Sequence, residues 1–284
     1  MLRPEVQSQL TPFLQTVAQA SQSALLLDYD GTLAPFHAKR DQAYPYPGIA
    51  PLLQEIVRNG RTRLVVISGR DTADLLPLLN IHPRPEVWGV YGLQRLQKDG
   101  GMALPHLDER TLDGLSDADR WLGYQQVRGT AEFKAGSIAV HWRGMSESAA
   151  EDLRARVLLG WRPVAEQSGL DLVEFDGGLE IRVSEADKGD AVYMLLNEIS
   201  PHAPVAYLGD DSTDESAFQA MQGRGLSVLV RPTWRKTAAQ VWLKPPEELL
   251  DFLGQWLSTC AQNGEDAGTS NSSAAAAANR GHSK

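Results

Sequence analysis

Ala24-Leu25-Leu26-Leu27-Asp28-Tyr29-Asp30-Gly31-Thr32 begins as an unbroken apolar run and stops abruptly at an acid. Such a run fits a strand buried on both faces of a parallel sheet, where a half-exposed strand would alternate. Two further stretches repeat the design: Leu64-Val65-Val66-Ile67 before Ser68, and Val205-Ala206-Tyr207-Leu208 before Gly209-Asp210. Helical spacing is expected between or after them, over about 49–59, 72–79, 189–199 and 213–222. Val6, Leu10, Phe13, Leu14 and Val17 place another helix over 4–19. Strand and helix alternating in this way define an α/β fold, a Rossmann-like core with helices on both faces of a parallel sheet.

The middle of the chain has a different rhythm. A hairpin is expected to turn at Asp99-Gly100, and a helix to run over about 108–126. Thr130 to Lys134 and Ser137 to Arg143 alternate around Ala135-Gly136, as the arms of a hairpin do. A helix over 146–167, interrupted near Pro163, leads to a second hairpin, Leu170 to Phe175 and Leu179 to Val183, turning at Asp176-Gly177-Gly178. This order predicts a small α+β domain inserted into the core. The boundaries expected are 1–104 and 184–260 for the two parts of the core and 105–183 for the insert. Residues 261–284, rich in Gly, Ser, Asn and Ala, read as a disordered tail.

The chain has 284 residues, 42% of them hydrophobic, enough for a substantial core. Its 36 acids against 27 Lys and Arg give a net charge of −9, which argues against a general nucleic-acid binder. No apolar run is long enough to span a membrane. The N-terminus is broken by Gln7, Gln9, Gln15 and Gln19, so no signal peptide is expected, and the lone Cys260 fits a reducing compartment. These features predict a soluble, cytoplasmic protein.

The chemistry gathers where the strands stop. In open parallel sheets ligands bind at the carboxyl ends of strands, so Asp28, Ser68 and Asp210 are expected to face one crevice. Asp28 and Asp30 stand two residues apart, and Gly31 permits a sharp departure from the strand. One carboxylate can serve as a nucleophile and the other as a general acid and base. Close carboxylates repel, so a hard cation such as Mg²⁺ is expected to join them, with oxygens from Gly209-Asp210-Asp211-Ser212-Thr213-Asp214-Glu215. The ordinary preference for acids in a helix's first turn accounts for Asp214 and Glu215, but not for the acids directly after a buried run. Ser68-Gly69-Arg70 can hold phosphate oxygens or simply cap the next helix. Lys188 opens a helix, where a cation opposes the dipole, which points to a task such as balancing a phosphate.

With these motifs in order, the chain resembles the haloacid dehalogenase-like (HAD) phosphatases over about residues 20–257. Within them it resembles the trehalose-6-phosphate phosphatases, through Leu27-Asp28-Tyr29-Asp30-Gly31-Thr32-Leu33-Ala34-Pro35, Ile67-Ser68-Gly69-Arg70 and the 210–215 segment. The insert adds Glu132-Phe133-Lys134, His141-Trp142-Arg143 and Glu180-Ile181-Arg182. The resemblance implies a HAD core with a C2-type cap and Mg²⁺-dependent hydrolysis of trehalose 6-phosphate. Asp28 would be the nucleophile and a metal ligand, and Asp30 the general acid and base with its carbonyl on the metal. Asp210, Asp211 and Asp214 would complete the metal site. Ser68, Gly69 and Lys188 would hold the phosphoryl group, and Arg70, Glu132, Lys134 and Glu180 the rest of the substrate. The cap would close on hinges near 104 and 184. A monomer and an association with a trehalose-phosphate synthase are both compatible with this reading. The family's Gly-x-His-Gly is here Gly89-Val90-Tyr91-Gly92, which leaves open another sugar or glycoside phosphate. An inert HAD-like regulatory or binding module is the alternative from another class.

Overall fold

The computed structural model describes residues 2–37, 39–103, 107–134, 136–142, 144–175, 177–183 and 187–261. The expected hinges at 104 and 184 and the tail beyond 261 lie outside them. Two compact units form: one from the residues up to Tyr91, Leu96–Gly101 and the chain from Asp187 onward, the other from Gly92–Arg95 and Met102–Ala186.

The first unit is built on strands β1 (Ser23–Leu27), β2 (Thr62–Ile67) and β3 (Glu86–Gly89). In the second half of the chain it adds β10 (Val205–Gly209), β11 (Leu226–Val230) and β12 (Val241–Leu243), while the short strands β4 (Gln94–Leu96) and β5 (Met102–Ala103) fall mostly in the second unit. Within this unit the strand order is β12-β11-β10-β1-β2-β3, and these strands pair in parallel. Central β1 explains the unbroken apolar run. Leu25 and Leu27 enter one core layer, while Ala24 and Leu26 enter the other. All four are essentially inaccessible to solvent, and each leucine buried this way contributes about 2 kcal/mol.

One layer is formed by helices α1 (Pro4–Gln19), α2 (Ile49–Asn59) and α3 (Thr72–Leu79), together with α8 over 247–261. Pro4 begins α1, where its missing N–H costs nothing, and Val6, Leu10, Leu14 and Val17 form its buried stripe. The other layer holds α6 (Lys188–Glu198) and α7 (Glu215–Ala220). The last of these is shorter than its sequence suggests, because Ser212–Asp214 forms a 3₁₀ turn instead of helix.

The second unit has a four-stranded antiparallel sheet, ordered β6 (Ala131–Lys134), β7 (Ser137–His141), β9 (Gly178–Val183) and β8 (Leu170–Phe175). Helices α4 (Glu109–Tyr124) and α5 (Glu147–Ser168) cover one face, packing Ala118, Leu122, Val157 and Trp161 against Ile138, Val140, Leu179 and Ile181. The expected interruption of α5 at Pro163 does not occur. Burial of Leu153, Val157, Trp161 and Ala165 keeps the helix continuous through the lost hydrogen bond.

Candidate active site

Asp28 leaves the end of β1 with its N–H donating to the Leu208 carbonyl of β10 (2.9 Å), and its carboxyl is almost wholly buried. Thr32 Oγ1 donates to Oδ2 at 2.9 Å, and Lys188 Nζ to Oδ1 at 2.6 Å. The same ammonium reaches Asp214 Oδ1 at 2.8 Å. Burial pushes the Asp28 carboxyl up to about 7, against the pull of Lys188. Burial alone would lower the Lys188 ammonium, but the carboxylates of Asp28 and Asp214 outweigh it and hold the group firmly charged. This pairing also offsets the poor placement of a cation at the first position of α6.

The β10 loop brings its acids to the same point. One carboxylate oxygen from each of Asp28, Asp210 and Asp214 lies within 4.8 Å of the others. Their roles differ. Asp214 accepts from Lys188 and from Tyr207 Oη (2.6 Å) on Oδ1, and from the N–H groups of Asp210 (2.9 Å) and Asp211 (3.1 Å) on Oδ2. These four donors fill the lone-pair positions of the carboxylate, so Asp214 shapes the loop rather than offering a free ligand oxygen. Asp210 is 5% exposed, and among the described residues its carboxylate receives no hydrogen bond. Burial, reinforced by Asp28 and Asp214, pushes it up to about 8. A buried, donor-free carboxylate facing another suits a hard cation, so the donor set fits Mg²⁺ with Asp28 and Asp210 as the direct side-chain ligands.

The capping reading of the acids is redistributed by the structure. Asp211, not Asp214 or Glu215, is the cap: its Oδ1 accepts from Thr213 N and Oγ1, both at 2.7 Å. Its carboxylate stands outside the three-acid cluster. Likewise Ser68 does not cap α3, since Asp71 does, accepting from Ala73 N. Ser68 Oγ instead accepts from Arg70 N at 3.1 Å.

An open crevice of about 250 Å³ is lined by Asp28, Asp30, Gly69, Arg70, Tyr91, Lys188, Asp210, Asp211 and Thr213, with Phe36 and His37 at its edge. Gly31 is needed for its shape. It adopts φ 85°, and a Cβ there would lie 2.1 Å from Asp210 Oδ2. Gly69 permits a second close approach, since its Cβ would meet the Tyr91 ring at 2.5 Å. Val90 and Tyr91 both have positive φ, 49° and 56°, and their N–H groups donate to Arg70 O and Ser68 O. For a β-branched residue that conformation is strained, and here it fixes the tyrosine at the crevice.

Glu132, Lys134 and Glu180 belong to the second unit, on the sheet face opposite the helices. In register, Glu132, Ala139 and Glu180 form one row, and Lys134, Ser137 and Arg182 the next. Lys134 and His141 both approach Glu132, at 3.5 and 3.0 Å, and the hydrogen bond from His141 keeps the Glu132 carboxyl below its usual range. Ser137 Oγ donates to Glu180 at 2.6 Å.

Behind the acidic loop lies a clasp that none of the motifs indicated. Arg235 donates to the carbonyls of Asp210 (3.3 Å) and Asp211 and pairs with Glu215, whose other oxygen accepts from Ala238 N at 2.8 Å. The basic run Arg231-Pro232-Thr233-Trp234-Arg235-Lys236 directly after a five-residue buried strand was the available signal.

The parallel core with these acids at its strand ends is the architecture of the HAD-like hydrolases. Solved structures share it: a trehalose-6-phosphate phosphatase of Aspergillus fumigatus aligns with TM-score 0.60 at 21% identity, covering 88% of this chain and 97% of that one. A haloacid dehalogenase-like hydrolase from Bacteroides thetaiotaomicron aligns with TM-score 0.53 at 15% identity, covering 82% and 99%. A sequence model of the trehalose-phosphatase family matches residues 26–244, and the chain belongs to that family. It is similar to a trehalose-phosphate phosphatase of Mycobacterium tuberculosis, 30% identical over 269 residues, covering 86% of this chain and 65% of that protein. A protein of the same organism described as an uncharacterized glycosyl hydrolase is 29% identical over 258 residues, 85% of this chain but 19% of its own length. The chain thus spans from a fifth to about two thirds of these curated relatives. No helix among the described residues is long and apolar enough to cross a membrane.

Proposed function

We propose that this chain is a phosphatase that hydrolyses trehalose 6-phosphate to trehalose and inorganic phosphate through an aspartyl-phosphate at Asp28. The observation that carries the reading is Asp28 itself: a buried carboxylate, fixed by Lys188 and Thr32 at the head of a crevice that also contains Asp30. A carboxylate oxygen of Asp28 attacks phosphorus, and the ester bond to the sugar oxygen breaks as that oxygen takes a proton from Asp30. Asp30, now ionised, accepts a proton from water as the water oxygen attacks the same phosphorus. The bond to Asp28 breaks, returning its carboxylate and releasing phosphate. Lys188 balances the charge of the nucleophile and of the transferring group, and Ser68 and Gly69 contribute to the phosphoryl cradle. Mg²⁺ held by the carboxylates of Asp28 and Asp210 and the backbone carbonyl of Asp30 would neutralise phosphoryl charge. In this reading Asp214 orders the loop, and Asp211 keeps its capping role.

Glu132, Lys134 and Glu180 are proposed to bind sugar hydroxyls. The cytoplasm is the proposed compartment, in keeping with a single free cysteine, Cys260. A phosphatase for another sugar phosphate is the second reading, favoured by Tyr91 at the crevice where the family carries histidine. Phosphate release from a panel of sugar phosphates, with Mg²⁺ and with chelator, separates the two. Turnover of trehalose 6-phosphate above the other esters supports the first reading. Turnover of another ester with trehalose 6-phosphate untouched overturns it.

A further inference from the structure

Arg70 was expected to touch substrate, yet its guanidinium is already engaged. Nε donates to Asp30 Oδ2 at 2.6 Å and Nη2 to Oδ1 at 2.7 Å, a two-pronged pair in which each prong has its own carboxylate oxygen. The arginine is 4% exposed, whereas Asp30 keeps 27% of its side chain open toward the crevice. The arginine is also anchored along its length. Its N–H donates to Ser68 Oγ, its carbonyl accepts from Val90 N, and the guanidinium carbon lies 5.7 Å from the centroid of the Tyr29 ring. The strained turn at Val90 and Tyr91 therefore braces the residue that grips Asp30.

We propose that Arg70 is a positioning residue for the general acid, acting through Asp30 rather than on substrate; this rests on the phosphatase reading above. The fork does two things a lone carboxyl in a loop cannot. It fixes the plane of the Asp30 carboxyl, leaving the outward lone pairs to face the crevice, and a bidentate guanidinium is the side chain suited to that task. It also places a permanent positive charge behind the carboxylate that forms when Asp30 gives its proton to the leaving oxygen. Both effects matter only to the extent that the leaving group needs a proton. A sugar or alkyl oxygen leaves as a strong base and requires one, whereas a nitrophenolate leaves without it.

The test is kcat/KM for a series of simple phosphate monoesters without sugar, from p-nitrophenyl phosphate through phenyl phosphate to alkyl phosphates, and for trehalose 6-phosphate. This ratio reports steps through departure of the leaving group. For Arg70→Met the expected loss is about 100-fold or more on alkyl esters, the lower range of what general acid catalysis supplies, and within about threefold on p-nitrophenyl phosphate. Arg70→Lys should recover part of the alkyl activity, because it restores charge but not the fork. Adding Arg70→Met to Asp30→Asn should cost little more than Asp30→Asn alone, as expected for residues acting as one unit. Melting curves of both Arg70 variants check that each is folded, and the lysine variant carries the test if the methionine variant is not. An equal loss on every ester would overturn the proposal by making Arg70 a phosphoryl ligand. A loss confined to the sugar ester, sparing simple alkyl esters, would overturn it in favour of sugar recognition. Wild type inactive on every monoester would refute the phosphatase reading itself, a distinct result.

Discussion

Replacing Asp210 with Asn should stabilise the metal-free protein, and the gain should depend on pH. Asp210 is buried, receives no hydrogen bond on its carboxylate among the described residues, and is pushed from 3.8 up to about 8. A group raised in this way favours the fold fully below pH 3.8, and that contribution is lost as pH rises through about 8. At 1.36 kcal/mol per unit, the shift bounds the cost of the ionised form at about 6 kcal/mol. Asp28, also raised, shares the repulsion, so one substitution relieves only part of it, on the order of 3 kcal/mol. For a chain of this size that corresponds to about 5–10 °C in Tm. Asparagine keeps the shape of the side chain and removes the charge. Melting of chelator-treated wild type and Asp210→Asn from pH 4 to pH 9 reads the difference. It should be close to zero at pH 4 and grow to its full value by pH 8–9. Added Mg²⁺ should raise the wild type, by about 2.7 kcal/mol at a hundred times its Kd, and leave the variant little changed. A variant less stable than wild type at pH 8–9 without metal, or a difference flat with pH, would show that the buried Asp210 charge carries no such cost.

Other outcomes follow from single contacts. Asp28→Asn should reduce turnover of trehalose 6-phosphate to background while the circular dichroism spectrum and melting remain native-like; substantial residual turnover contradicts its role as nucleophile. Gly31→Ala forces a side chain into a left-handed position and into the Asp210 carboxylate, so it should cost at least 2 kcal/mol or so in chemical denaturation and weaken Mg²⁺ binding measured by calorimetry. Arg235→Met opens the clasp on the Asp210 and Asp211 carbonyls, and Mg²⁺ affinity should fall about tenfold, the lower end of losses seen when support behind a metal ligand is removed. An unchanged calorimetric Kd would show that the loop holds its shape without the clasp.

How much of this was legible beforehand depended on the range of each interaction. The ends of β1, β2 and β10 could be read because a strand buried on both faces must be apolar throughout, and its first polar residue marks the sheet's edge. β12 has only three residues, Val241–Leu243, and the β11 run includes Ser227, so neither carried the same signal. The acids at 210–215 announced themselves as a group, but their division of labour did not. Asp211 caps and Asp214 is buried because of the backbone path after β10, which residue spacing does not specify. The partner of Arg70 was hidden for a related reason. Beside Ser68 and Gly69 the arginine looks like an anion ligand, and its partner Asp30 stands forty residues earlier in the chain, brought near only when β1 and β2 pair.

If phosphorus passes through Asp28, the stereochemical course at phosphorus records it. A monoester made chiral with three oxygen isotopes would be transferred by the enzyme to an acceptor alcohol that replaces water in the second displacement. Two in-line displacements, the first by Asp28, predict retention of configuration in the product ester. Inversion would mean that the acceptor attacks the substrate directly, with no aspartyl-phosphate at Asp28 on the path.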